Sequence, residues 1–379
     1  MMKHDMVVFG EDWGRHPSST QHLVKRLAVD RQVLWVNSIG MRRPRLNRAD
    51  LHRLFEKAQT FSLKRVIRSE HEHRVSLPES MRVLSPVAIP WPGSASADQI
   101  NRALLSRQIR KEMRAGNIEK PLLWCSLPTA VVACDTLDER GVIYYCGDDF
   151  GAWQGVDHKP VMEAEKRLVA RADLVIAASE ELAQRFPREK TILIEHGVDH
   201  ALFSTTAARP ADMPEGGPVA GFFGSIGERI HVDLLADAAE RLPHWRFVMI
   251  GPVQTDCTRL QACRNVFFLG ERPHTALPGY VQNWDVSLLP FRQGPDMDAS
   301  NPLKLREYFA AGTPIAATRF KALKRYQALV RVAETEADFP AAIETALHDR
   351  KHNSLRRDFV ATESWDAQAA RIENILATL

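Results

Sequence analysis

The sequence predicts an α/β protein of two domains, each a parallel sheet wound by helices. Three observations predict it. Short β-branched and aromatic runs alternate with amphipathic stretches along most of the chain, which is the pattern of repeated βαβ units. The runs fall into two sets, divided by a Pro/Gly/Ala-rich stretch, TTAARPADMPEGGP, that has no periodicity. At 379 residues the chain is also too long for one ordinary core, and it suits two domains of roughly 150 to 200 residues each.

Taken in order, the first set of strand candidates is MVVFG (6–10), QVLWVN (32–37), LLWCS (122–126), VIYYC (142–146), LVIAAS (174–179) and TILIE (191–195). The second is PVAGFFG (218–224), RFVMIG (246–251), VFFLG (266–270), DVSLLP (285–290) and PIAAT (314–318). The first domain is therefore expected over 1–204, a connection over 205–217 and the second domain over 218–351. Residues 87–98 read as a loop before a basic helix at 101–116 that stops at Gly116. From 352 to 379 the spacing of Trp365, Ala369, Ile372 and Leu376 predicts helix. No strand is left for it to serve, so it is expected to pack back on the first domain.

Composition narrows the class. Hydrophobic residues at 45% and charged residues at 26% are ordinary for a globular protein and exclude disordered, collagenous and disulfide-scaffolded chains. The N-terminus lacks an apolar signal core, and no stretch of about 18 apolar residues occurs, so neither standard secretion nor membrane spanning is expected. Five cysteines (125, 134, 146, 257 and 263), without CxxC spacing, read as reduced and cytoplasmic. The net charge of +3 hides a basic region, because residues 42–120 hold 17 Lys/Arg against 8 Asp/Glu. Its stretch 41–68 interleaves cations with Leu46, Leu51, Leu54, Phe55, Phe61 and Leu63. That suits the anionic inner face of a cell membrane, with no nucleic-acid motif to favour the rival polyanion and a merely solvated basic face as the bland alternative.

The most informative segment is SNPLKLREYFAAGTPIAAT (300–318). Asn301 suits an N-cap and Pro302 the first helical position, with the helix ending at Ala311 before Gly312. Lys304 and Glu307 then share a face. A helix N-terminus with a lysine offers N–H groups and a cation to a diphosphate, and a carboxylate one turn on accepts from ribose hydroxyls. The plain alternative is a surface ion pair. In YYCGDDFGAW (144–153), Asp148 and Asp149 follow a buried strand at the carboxyl edge where open α/β sheets bind ligands. Adjacent carboxylates raise one pKa and suit a general base, or they cap the next helix. Asp296 and Asp298 form a DxD triplet, and His196 and His200 are four apart. Neither set reads as a metal site, since the first lies in a polar loop and Gly197 breaks the helix that the second would need.

The pattern K-L-x-E-Y-x-A-A-G-x-P over 304–314, late in the second α/β domain, resembles the donor helix of GT-B glycosyltransferases. Three further segments resemble that family in the same order. These are His196-Gly197-Val198-Asp199, Gly224 to Asp233 after a strand, and the turn Ile250-Gly251-Pro252. The resemblance implies a GT-B fold, with two Rossmann-like parallel-sheet domains facing a cleft that closes on the substrates. It implies nucleotide-sugar contacts at Gly224, Ser225, Ile226, Arg229, Asn301, Leu303, Lys304 and Glu307. Acceptor-side residues would be Asp12, Trp13, Arg15, His16 and His22, with Asp149 beside them. The retaining group of the family carries glutamates eight positions apart, whereas here Ala299 precedes Glu307 by eight. The pattern is closer to the inverting, membrane-associated glucuronosyltransferase of xanthan assembly, which implies Asp148 as base and Lys304 as the catalytic cation. The activity implied is transfer from a nucleotide-sugar, a UDP-sugar first, to a hydroxyl of a lipid-linked glycan in polysaccharide or surface-glycan synthesis. No metal or other cofactor is expected. A nucleotide-sugar 2-epimerase and a non-catalytic glycan- or lipid-binding scaffold of the same fold are the alternatives.

Overall fold

The computed structural model describes residues 3–14, 18–41, 77–151 and 156–378. The chain forms two compact units: Met1–Ile194 together with Ile372–Leu379, and Glu195–Arg371. Residues 205–217 lie within the second, where Ala207 N–H donates to Gln282 Oε1 at 2.9 Å and Met213 is buried in the core.

The first unit is a seven-stranded parallel sheet in the order β3-β2-β1-β4-β5-β6-β7. Its strands are β1 (Met6–Phe9), β2 (Val33–Val36), β3 (Met81–Leu84), β4 (Leu122–Cys125), β5 (Gly141–Cys146), β6 (Leu174–Ala177) and β7 (Thr191–Leu193). The five interior strands are buried throughout. Burial on both faces of a helix-covered sheet is why they read as continuous apolar runs. β3 escaped the sequence reading because it is an edge strand of only four residues, MRVL, with Arg82 and Val83 exposed. The basic helix begins earlier than expected, at Ala95 under an N-cap from Ser94, and ends at Ala115. The fully buried Arg31 ion-pairs with Glu373 within this unit.

The second unit is a six-stranded parallel sheet in the order β10-β9-β8-β11-β12-β13. It comprises β8 (Val219–Phe223), β9 (Arg246–Ile250), β10 (Val266–Gly270), β11 (Val286–Leu289), β12 (Ile315–Ala317) and β13 (Arg331–Val332). β13 is two residues long, too short for a period to show. Helices Asn353–Ala361 and Trp365–Leu376 fill the C-terminal stretch, and Trp365, Ala369, Ile372 and Leu376 are all buried. In each sheet the strand order reverses once, beside β1 and beside β8. Loops leaving the carboxyl ends of strands at such a point form the ligand crevice of a doubly wound fold.

Candidate active site

In the second unit, the loop after β8 and the helix Leu303–Ala311 meet at that reversal point. Gly224 takes φ 125° and Gly251 φ 133°, conformations that L side chains rarely adopt. A Cβ on Gly251 would lie 2.2 Å from the Gly224 carbonyl oxygen, and one on Gly224 would lie 3.0 Å from Lys304 Nζ. Two strand-end turns therefore stack backbone on backbone, with the lysine directly against the first. Gly224 N–H donates to Ile250 O at 2.8 Å and Ile226 N–H to Pro252 O at 2.9 Å. Among the described residues, the N–H groups of Ser225 and Gly227 have no backbone partner.

Lys304 is half-buried, with Nζ 5.1 Å from the Phe222 ring centre and 5.4 Å from that of Phe291. It has no ion-pair partner among the described residues. Burial pushes its ammonium down to about 8; Glu307 opposes that shift and Arg229 adds to it. A cation held this way, without a carboxylate, is prepared for an anion that arrives from outside.

The helix Leu303–Ala311 ends as the sequence indicated, with Gly312 left-handed at φ 80°. Its start differs from the expectation. Pro302 occupies the cap position, no side chain caps the helix, and no acidic residue lies in its first turn. Asn301 instead accepts from Arg306 Nη1 at 2.6 Å and donates to Glu195 Oε1 at 3.2 Å. The buried guanidinium of Arg306 outcompetes the helix N–H groups for that amide, which leaves those N–H groups open at the end where the macrodipole is positive. Arg306 itself is fully buried, 3.0 Å from Glu363 and 3.3 Å from Glu195, and Arg325 pairs with both carboxylates. Beside this cluster, burial and then Arg306 push the His196 imidazole down to about 3.

Glu307 is not a free carboxylate. His274, in the segment after β10, lies 2.6 Å away through Nε2, with its ring edge-on to Phe203 at 5.4 Å. Sequence reading missed His274, since no local spacing joins it to Glu307. Arg229 is half-buried near Lys304, and its carbonyl accepts from Arg292 N–H at 2.9 Å. Ser225 is exposed and donates to Gln254 at 2.7 Å. Ile226 is fully buried, so with its N–H engaged it supports the loop rather than facing a ligand. Leu303, half-buried, opens the helix. Asp298 lies 3.9 Å from Lys321.

The first unit carries the other candidates. Asp148 and Asp149 follow β5 as expected. Asp149 ion-pairs with Arg185 at 2.8 Å and accepts from Gly151 N–H at 3.0 Å, while Asp148 accepts from Asp149 N–H at 2.9 Å. Burial raises the pKa of Glu165, which accepts from Tyr144 at 2.5 Å. Trp13, an acceptor-side candidate, is packed within the first unit. Its ring meets Trp35 edge-on at 4.8 Å, and Lys25 Nζ lies 5.4 Å from its centre. Asp12 and His22 are half-buried near the end of β1. Arg15 and His16 lie outside the described residues, as do 42–68 of the basic stretch. Among the described residues, no three His, Cys, Asp or Glu side chains gather as a metal site, and no helix is long and apolar enough to cross a membrane.

Residues 217–349 match the family of glycosyl transferases group 1. They span the sheet, the paired glycine turns and the helix of Lys304. The chain has the GT-B fold, and its second unit carries a glycosyl transferase domain. Over 280 residues the transferase is 28% identical to the putative teichuronic acid biosynthesis glycosyltransferase TuaH of Bacillus subtilis (strain 168), covering 66% of this chain and 70% of that one. The transferase also shares its fold with Anabaena Alr3699/HepE, solved in complex with UDP-glucose, at a TM-score of 0.69 and 15% identity over all of both chains. The lipopolysaccharide outer core galactosyltransferase WaaB superposes with a TM-score of 0.62 at 12% identity, again over both whole chains.

Proposed function

We propose that this transferase moves a sugar from a UDP-sugar to a hydroxyl of a lipid-linked glycan during surface-polysaccharide synthesis, working at an anionic membrane face. The observation that carries the donor half is Lys304, a half-buried cation without an ion-pair partner among the described residues, set against the Gly224 turn beside an uncapped helix N-terminus. When the sugar–phosphate bond breaks, negative charge gathers on the leaving diphosphate. Lys304, Arg229 and the N–H groups of Ser225, Gly227 and Leu303 stabilise it there, and because they are fixed beforehand they need little rearrangement. Glu307, one oxygen held by His274, uses the other to accept from a ribose hydroxyl. UDP is the nucleotide bound to a protein of this fold, and the similarity to a teichuronic acid glycosyltransferase supports a polysaccharide acceptor.

Asp148 takes the acceptor's proton as the hydroxyl attacks the anomeric carbon. The choice of Asp148 follows the family resemblance of this strand end, and its neighbour Asp149 ion-pairs with Arg185. Asp148→Asn is expected to lower transfer at least about 100-fold, the lower range for a general base, while the donor dissociation constant changes less than about twofold. Transfer at the wild-type rate overturns the assignment.

The lysine also sets a pH dependence. Below about pH 8 Lys304 is a cation and above it an amine. UDP affinity is therefore expected to fall as pH rises through about 8, with the bound diphosphate moving the midpoint upward, and Lys304→Ala is expected to flatten the profile. Stability of the free protein has the opposite sign. Between about 8 and the ordinary lysine value the unfolded chain holds the proton that the folded chain has lost, so this group's contribution rises with pH. Calorimetric titrations of UDP across that range check the binding profile, and identical curves for wild type and Lys304→Ala contradict it.

A further inference from the structure

The helix Ala95–Ala115 buries Ala97, Asn101, Leu105, Ile109 and Met113 at four-residue spacing. At 100° per residue, Ile100, Leu104, Arg107, Lys111 and Arg114 fall within an arc of about 80° on the opposite side. All five are exposed. Ile100 is 48% and Leu104 37% accessible, which for large aliphatic side chains in adjacent turns is a feature to explain.

The segment leading into the helix extends the same surface. Asn101 holds the Ile89 backbone through both its amide atoms, at 2.7 and 2.9 Å, and Gln108 holds Val87 at 2.9 Å in each direction. This lays residues 87–91 along the helix, with Val87 40% and Trp91 48% exposed. A half-exposed tryptophan beside aliphatic and basic side chains is the composition of a membrane–water boundary.

Charge is equally one-sided. The two acids of the helix are engaged, Asp98 with Arg167 at 2.8 Å and Glu112 with Arg82 at 3.1 Å. Arg102 and Arg110 donate to the carbonyls of Asp135 and Thr136. The side chains of Arg107, Lys111 and Arg114 have no hydrogen-bond or ion-pair partner among the described residues. Three uncompensated cations thus continue an apolar patch along one helix face.

We infer that this face, comprising Trp91, Val87, Ile100, Leu104, Arg107 and Lys111, is where the protein meets an anionic lipid surface. The aliphatic and indole groups enter the headgroup layer, and the cations lie against the lipid phosphates. The inference rests on the membrane reading above and adds the place of contact.

Co-sedimentation of the full chain with phosphatidylcholine vesicles, with and without phosphatidylglycerol, tests it. Wild type is expected to pellet with the anionic vesicles, and to do so less as salt is raised. Arg107→Gln with Lys111→Gln is expected to weaken partition about thirtyfold, since each cation near such a surface contributes about a fivefold factor. Ile100→Ser with Leu104→Ser is expected to weaken it at any salt concentration. All four positions are exposed, so each variant should melt as wild type does and keep its UDP affinity. Wild type that pellets while both variants pellet equally well overturns this face and leaves the membrane reading standing. Wild type that pellets with neither vesicle overturns both.

Discussion

Lys304→Ala is expected to lower turnover by about 100- to 1000-fold, the range found when one preorganised donor to a developing anion is removed. The expectation comes from what surrounds the side chain. Phe222, Phe291 and Gly224 surround it, no carboxylate of the described residues ion-pairs with it, and the Gly224 turn leaves room for it because a Cβ there would meet its Nζ. A lysine in a purely structural role would have a partner, and its loss would destabilise the fold. Here truncation removes a desolvated charge, so the thermal midpoint of the free protein is expected to stay within a few degrees or rise. Reduced turnover together with intact folding is the signature. Near-normal turnover on saturating donor would remove the diphosphate role.

Arg306→Ala is expected to have the largest effect on stability. The guanidinium is wholly buried between Glu363, Glu195 and Asn301. Breaking a buried pair from one side leaves charge without compensation, at a cost of about 3 to 5 kcal/mol. Arg325 still reaches both glutamates, and the Glu195 side chain is a quarter exposed, so about 3 kcal/mol is the expected loss. Denaturant unfolding followed by tryptophan fluorescence measures it. Arg306→Met combined with Glu363→Gln is expected to recover part of the loss, because the orphaned charge is removed along with its partner. Arg306→Ala is also expected to weaken donor binding, since Asn301 and the helix start are held by this guanidinium. A stability change below about 0.5 kcal/mol, the size of an ordinary surface substitution, contradicts this account.

What the sequence made legible follows from the period of each feature. Strands buried on both faces announce themselves as apolar runs, and the two sheets were readable for that reason. β3 and β13 were not, because an exposed four-residue edge and a two-residue strand carry no such run. Helix ends were legible where the cap is local, as at Gly312. They were not at Asn301, whose amide serves a guanidinium five residues on and a glutamate 106 residues back. The candidate site divides along the same line. Lys304 and Glu307 lie one turn apart and were visible as a pair, and Gly224 followed a readable strand. His274 reaches Glu307 across 33 residues and Arg185 reaches Asp149 across 36, so both emerged only with the fold. Ile226 looked like a ligand contact by position and is core by packing.

The most direct test of the account is calorimetric titration of the purified protein with UDP-, GDP-, dTDP- and ADP-sugars, alongside Lys304→Ala and Glu307→Ala. The account predicts that UDP-sugars bind and the other three nucleotides bind far more weakly. It also predicts that both substitutions weaken UDP binding at least about tenfold, the equivalent of one lost charged contact. Failure of every nucleotide to bind, or UDP affinity unchanged by both substitutions, would contradict it.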